Sequence, residues 1–148
     1  MVSRGNEMTW SNISPQVFEL DAGIRYLAVN QKGEIVEMAQ RLPTHNPVET
    51  DRMEELLVNP TILELTKRRG DLDLDGIRYI IIRYGLQYQA VFNYRNGHVS
   101  VGIESDSDAV AVVTRIIEHL DRLVPSPENL HRPSHLAGAR TKQHLGAI

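Results

Sequence analysis

The six residues Asp71-Leu72-Asp73-Leu74-Asp75-Gly76 carry the pattern richest in potential chemistry. Carboxylates at positions 1, 3 and 5 with glycine at 6 match the first half of a helix–loop–helix calcium loop. Position 12 of such a loop should hold a bidentate acid, and here it is Ile82. A β-rich run follows where the exiting helix should be. The stretch therefore reads as a solvated loop entering a strand, and no metal site is assigned. His131 and His135 have the four-residue spacing of a helical metal pair, but Pro133 lies between them and opposes that helix. His144 is equally isolated, His45 falls in a predicted loop, and His98 and His119 fall on faces that read as exposed. None has an evident acid–base partner.

Lys67-Arg68-Arg69, with Arg78 and Arg83, could gather into a basic patch. The first three sit at a predicted helix end, where cations complement the helix dipole without any ligand. No glycine-rich phosphate loop is present. A net charge of −3 and a pI near 6.1 argue against general nucleic-acid binding. The chain has no cysteine, which excludes thiol catalysis, thiolate zinc and disulfides. No catalytic residue, cofactor or metal is therefore assigned, and the expectation is a protein without enzymatic chemistry. No run reaches the roughly 20 apolar residues of a membrane span, and the first residues lack an apolar signal core. A cytoplasmic location is expected, away from membranes.

At 148 residues, with 41% hydrophobic and 24% charged residues, the chain suits one globular domain. Its organising stretch is residues 76–123. Ile77 to Tyr84 is rich in β-branched and aromatic residues, apolar on both faces and interrupted only by Arg78 and Arg83. Gln87 to Tyr94 alternates: Tyr88, Ala90, Phe92 and Tyr94 on a buried face, with Gln87, Gln89, Val91 and Asn93 on a largely wet one. Asn96-Gly97 signals a hairpin. His98 to Glu104 would bury Val99, Val101 and Ile103 and expose His98, Ser100 and Glu104. After Asp106 or Ser107 as the cap, Val110, Val113, Ile117, Leu120 and Val124 form a helical stripe, widened by Ala109, Val112, Ile116 and Leu123.

Upstream, Trp10 is the one expected anchor of a loosely ordered segment 1–13. Ser14-Pro15 suits a helix start, with Val17, Phe18 and Leu20 inward and Gly23 at the end. Strands over Ile24 to Asn30 and Glu34 to Arg41 flank the turn Gln31-Lys32-Gly33. Pro43, Asn46 and Pro47 make a loop. Helix resumes near Glu49, is halted and restarted at Asn59-Pro60, and stops at Gly70. After Val124, Pro125-Ser126-Pro127 opens a polar stretch, so 14–124 is the predicted domain and 125–148 a flexible tail dispensable for folding. The fold class is α+β: a five-stranded antiparallel sheet in the order α-β-β-α-β-β-β-α. The stretch Ile77 to Tyr84 fits either a central strand covered on both faces or an edge strand that pairs with another chain.

That order, with Gly23-Ile24-Arg25-Tyr26-Leu27-Ala28-Val29 followed by Gln31-Lys32-Gly33-Glu34-Ile35-Val36, resembles the roadblock / dynein light chain superfamily and its uncharacterised archaeal members. The resemblance covers roughly 14–124. Profilin-like and longin-like domains have similar sheets. The roadblock resemblance implies a dimeric adaptor that regulates small GTPases or assembles motor complexes. It further implies pairing through the third strand and middle helix, hence an interface of Met53, Leu56, Leu57, Arg78, Ile80, Ile82 and Tyr84. Arg78 and Arg83 would then reach Glu54, Glu55 or Glu64 of the mate. The break at Asn59-Pro60 departs from the family pattern by lengthening and bending the middle helix. The competing expectation is a ligand-sensing domain with a pocket between sheet and covering helix.

Overall fold

The computed structural model describes residues 9–42 and 49–123. The whole predicted sheet lies within them. The predicted tail, the loop at Pro43, Asn46 and Pro47, and His45, His131, His135 and His144 fall outside the described residues, as does Val124.

A 3-10 turn, Trp10–Asn12, runs into helix α1, Ile13–Leu20. Strands β1 (Ile24–Gln31) and β2 (Glu34–Gln40) follow. The middle helix comprises α2 (Glu49–Met53), a π-helical turn (Glu54–Val58) and α3 (Asn59–Asp73). Strands β3 (Ile80–Arg83), β4 (Gln87–Tyr94) and β5 (Gly97–Glu104) precede helix α4 (Ala109–Leu123). The five strands form one antiparallel sheet in the order β2-β1-β5-β4-β3, as the sequence predicts an antiparallel sheet of five.

One face of the sheet packs against α1 and α4. Leu27, Val29, Phe92, Val99, Val101 and Ile103 meet Ile13, Val17, Val112, Val113, Ile116 and Leu120 there, all buried. Within α4, Val110 is exposed instead, because the inward stripe is centred on Val112, Val113 and Ile116. Asp108 is the cap: its Oδ1 accepts the Ala111 amide at 3.1 Å. Trp10 stands edge-on against Tyr94, with centroids 6.4 Å apart.

The face predicted to be wet is covered over its middle. Gln89, Val91, His98 and Ser100 are buried, whereas Asn93 is exposed and Gln87 and Glu104 are half-buried, as predicted. Alternation in β4 and β5 reports two environments, and the middle of the second is dry as well, polar and hydrogen-bonded internally.

Other boundaries shift for local reasons. Ser14 is not the cap of α1, since the 3-10 turn carries helical backbone past it and buries it. Asn59 does not cap a new helix. Its φ and ψ of −63° and −46° are helical, and its amide bonds the Glu54 carbonyl five residues back. That wide turn lets the chain pass Pro60, whose ring would otherwise clash with the carbonyl four residues earlier. Gly70 does not end the helix either. The chain returns so closely over it that an added Cβ would lie 3.0 Å from the Gly76 carbonyl carbon. The last hairpin turns at Arg95-Asn96, with Arg95 at φ 53°, and Gly97 already belongs to β5. A Cβ at Gly97 would sit 1.9 Å from the Asn30 oxygen, so β1 dictates glycine there.

Candidate functional site

The stretch Ile77 to Tyr84 contributes only Ile80–Arg83 to the sheet, and it lies at the edge. Its pairing with β4 is Ile80 to Val91, Ile81 to Ala90, Ile82 to Gln89 and Arg83 to Tyr88. Ile81 therefore shares the α4 face and packs on the main core, whereas Ile80 and Ile82 lie on the middle-helix side. All three isoleucines are half-buried. Among the described residues, the backbone groups on the far side of β3 have no strand partner. The opposite edge, β2, differs in character: it carries Glu34 and Glu37, and a register shift at Val29/Asn30 twists its pairing. Charges and bulges are what keep an edge from pairing, and β3 has neither along its three isoleucines.

The middle helix crosses the other face of the sheet, its π turn against β2 and α3 against β4, with an apolar ridge turned to solvent. Met53 is 53%, Leu56 47% and Leu57 60% exposed, and Leu65 reaches 63%. Tyr84 and Leu86, just beyond β3, are exposed as well. Met53, Glu54, Val58, Tyr84 and Leu86 line a shallow depression between ridge and strand. Arg78 is the outlier among the predicted interface residues. It precedes β3 and is turned onto its own loop, its Nη1 donating to the Asp75 carbonyl at 3.0 Å. Arg83 lies over the Tyr88 ring, 5.0 Å from its centroid.

Beneath the ridge the helix is anchored by a polar cluster that sequence reading missed. Glu55 is fully buried. Tyr26 Oη donates to its Oε1 at 3.2 Å, and Asn59 Nδ2 donates to its Oε2 at 3.3 Å. His98 Nε2 lies 3.0 Å from the same Oε2. His98 is therefore neither exposed nor unpartnered, and Glu55 cannot reach an arginine of another chain. Burial, then the Glu55 charge, raises the Tyr26 phenol far above its ordinary range, so it stays a donor. Burial, then Glu55 and Asp51, pushes Glu54 up to about 7. The signal in the sequence was an acidic pair set inside an apolar helical run, Met53-Glu54-Glu55-Leu56-Leu57.

The remaining candidates resolve without ligands. Asp71 and Asp73 lie in the last turn of α3, paired with Lys67 at 2.5 Å and with Arg69. Glu64 pairs with Arg68 at 2.9 Å, which accounts for the third basic residue. Among the described residues no group of three or more acidic or histidine side chains could hold a metal ion. No helix among them is long and apolar enough to cross a membrane. Cavities occur on the middle-helix face of the sheet. One of about 280 Å³ is lined by Arg25, Tyr26, Arg41, Glu54 and Glu104. Both its arginines are engaged, Arg25 with Glu104 at 3.3 Å and Arg41 with the carbonyls of Phe18, Asp21 and Ile24.

No protein-family model matches the chain, and no curated protein matches it in sequence. Solved structures do match in shape. A roadblock/LC7 domain from Streptomyces avermitilis is 11% identical with a TM-score of 0.61, over 81% of this chain and 97% of that one. A structure of MglB with tetrameric arrangement is 12% identical with a TM-score of 0.59, over 76% of this chain and 82% of that one. The gliding protein MglB from Thermus thermophilus is 13% identical with a TM-score of 0.54, over 74% of this chain and 80% of that one. Helix α1, the β1–β2 hairpin, the middle helix and the β3–β5 meander closed by α4 thus assemble into the roadblock/LC7 fold.

Proposed function

We propose that this chain is a non-enzymatic homodimeric interaction module that regulates or scaffolds a small GTPase. The observation that carries the dimer is an unprotected isoleucine edge whose end at Tyr84 and Leu86 shares a depression with exposed Met53 of the middle helix, which also exposes Leu56 and Leu57. A two-fold axis through that edge would let β3 pair antiparallel with itself and bring the two ridges together. Ile80, Ile82, Tyr84, Met53, Leu56 and Leu57 would be the residues buried. Arg78 would sit at the rim, where an exposed ion pair contributes only about 0–1 kcal/mol. Register would rest on strand pairing and apolar burial. The GTPase reading rests on the fold: roadblock-like domains act as adaptors and regulators.

Light scattering at tens of micromolar tests the assembly, with a dimer mass expected. Leu57→Glu, on the exposed ridge, should halve the mass while leaving the melting temperature of the monomer unit nearly unchanged. A monomeric wild type would sink the pairing. Adding the purified chain to small GTPases from its source and following GTP turnover tests the second half; turnover and nucleotide exchange unaltered for all of them would remove the regulatory role.

A further inference from the structure

A second cleft lies at the other end of the middle helix, remote from Tyr84 and Leu86. Asn30 on β1, His98 on β5 and Asn93 on β4 are direct cross-strand partners. Their neighbours Val29, Val99 and Phe92 point into the α4 core, so these three side chains stand in one row on the opposite face. The row floors a cavity of about 320 Å³ whose facing wall is Leu56, Pro60 and Leu63. The site is thus polar on one side and apolar on the other.

The floor keeps polar groups free to meet a ligand. Asn30 is 4% exposed, and its carboxamide makes no side-chain hydrogen bond among the described residues; it is not one of the buried atoms left without a partner, which places it at the cleft it lines. His98 spends Nε2 on Glu55, which leaves Nδ1 on the row. Asn93 is exposed at the cleft. The charges at the rim, Glu64 and Lys67, are already matched by Arg68 and Asp71, so an ionic ligand would find no counter-charge.

We propose that this cleft binds a small uncharged molecule with a purine-type edge, its ring face lying on Leu56, Pro60 and Leu63. Carboxamides offer a donor and an acceptor side by side, and that pair matches the adjacent amino and ring-nitrogen groups of adenine. A volume at the lower end of small-molecule sites admits one ring system and not a dinucleotide. Because Leu56 belongs both to this wall and to the exposed ridge, occupancy of the cleft reaches the proposed dimer surface directly.

The test is a titration of the full chain with adenosine, followed through its backbone and side-chain amide resonances, with ribose as the control. Saturable shifts of the Asn30 and Asn93 carboxamides with adenosine, absent with ribose, are expected. Asn93→Ala changes an exposed position and should keep the fold while weakening adenosine at least about tenfold, the equivalent of one good hydrogen bond. No saturable shift with adenosine, equal shifts with ribose, or undiminished binding in Asn93→Ala would each overturn the proposal. Light scattering of the ligand-free chain reports the dimer without this cleft being filled, so the two results stand apart.

Discussion

Replacing Glu55 with alanine is the sharpest perturbation of the middle-helix anchor. The carboxylate is fully buried and meets Tyr26, Asn59 and His98 at 3.2, 3.3 and 3.0 Å. Each hydrogen bond to a charged group contributes about 1.5–3 kcal/mol, but three on one acceptor share its charge and do not add. Removing one partner of a buried charged cluster typically costs about 3–5 kcal/mol, because the groups left behind stay buried and unmatched. For a domain whose total stability is about 5–15 kcal/mol, this is a large share. Urea unfolding of Glu55→Ala should therefore show a loss of about 3–5 kcal/mol with an unchanged slope. Tyr26→Phe deletes only the 3.2 Å bond and should cost about 1.5 kcal/mol, the low end for a charged acceptor. The double mutant should lose less than the sum, since the phenol has nothing left to bond. A loss below about 1 kcal/mol for Glu55→Ala would mean that water or a relaxed helix replaces these bonds, and the anchor argument would fail.

Glu54 is pushed up to about 7 from 4.5, so between those values the folded state holds a proton that the unfolded state has released. Its contribution is complete below 4.5 and fades as pH rises towards 7; Glu54→Gln should flatten that decline in urea midpoints, and an unaltered profile would refute it. Millimolar calcium should leave the melting temperature unchanged, because Asp71 and Asp73 are held by Lys67 and Arg69; a clear rise that disappears in Asp73→Ala would reverse this. Gly97→Ala forces a Cβ to within 1.9 Å of the Asn30 oxygen and should cost at least the roughly 1–3 kcal/mol of an overpacked site, measured by thermal unfolding.

The sheet was legible because each strand carries its own punctuation. Gln87–Tyr94 matches its predicted bounds, and β1, β2 and β5 differ from theirs by one residue. In α4, periodicity placed the helix, but its stripe rotated by part of a turn. What alternation cannot tell is whether a polar face meets water or another polar face. Gln89, His98 and Ser100 read as wet for that reason, yet Gln89 donates to Ser100 and His98 meets Glu55 on a helix more than forty residues earlier. Such a partnership has no local signature. Pro60 misled in the same way: proline marks the end of a helix only if the preceding turn cannot widen, and residues 54–58 widen it. The exposed edge of Ile80–Arg83 was one of two open readings, and strand order alone decided between them.

The wide turn at Glu54–Val58 also bears on how this helix tolerates changes in length. A π-helical turn holds one residue more than the α-helical turn it replaces. Deleting one residue there would restore the ordinary repeat with the flanking turns still nearly in phase, since one turn replaces one turn. The carbonyl four residues before Pro60 would then meet its ring, the clash that the wide turn avoids. The segment from Glu54 to Pro60 therefore behaves as a single cassette: the extra residue and the proline belong together, and a chain that lost one would be under pressure to lose the other. Grafting this helix onto another roadblock/LC7 scaffold should carry the whole segment or none of it.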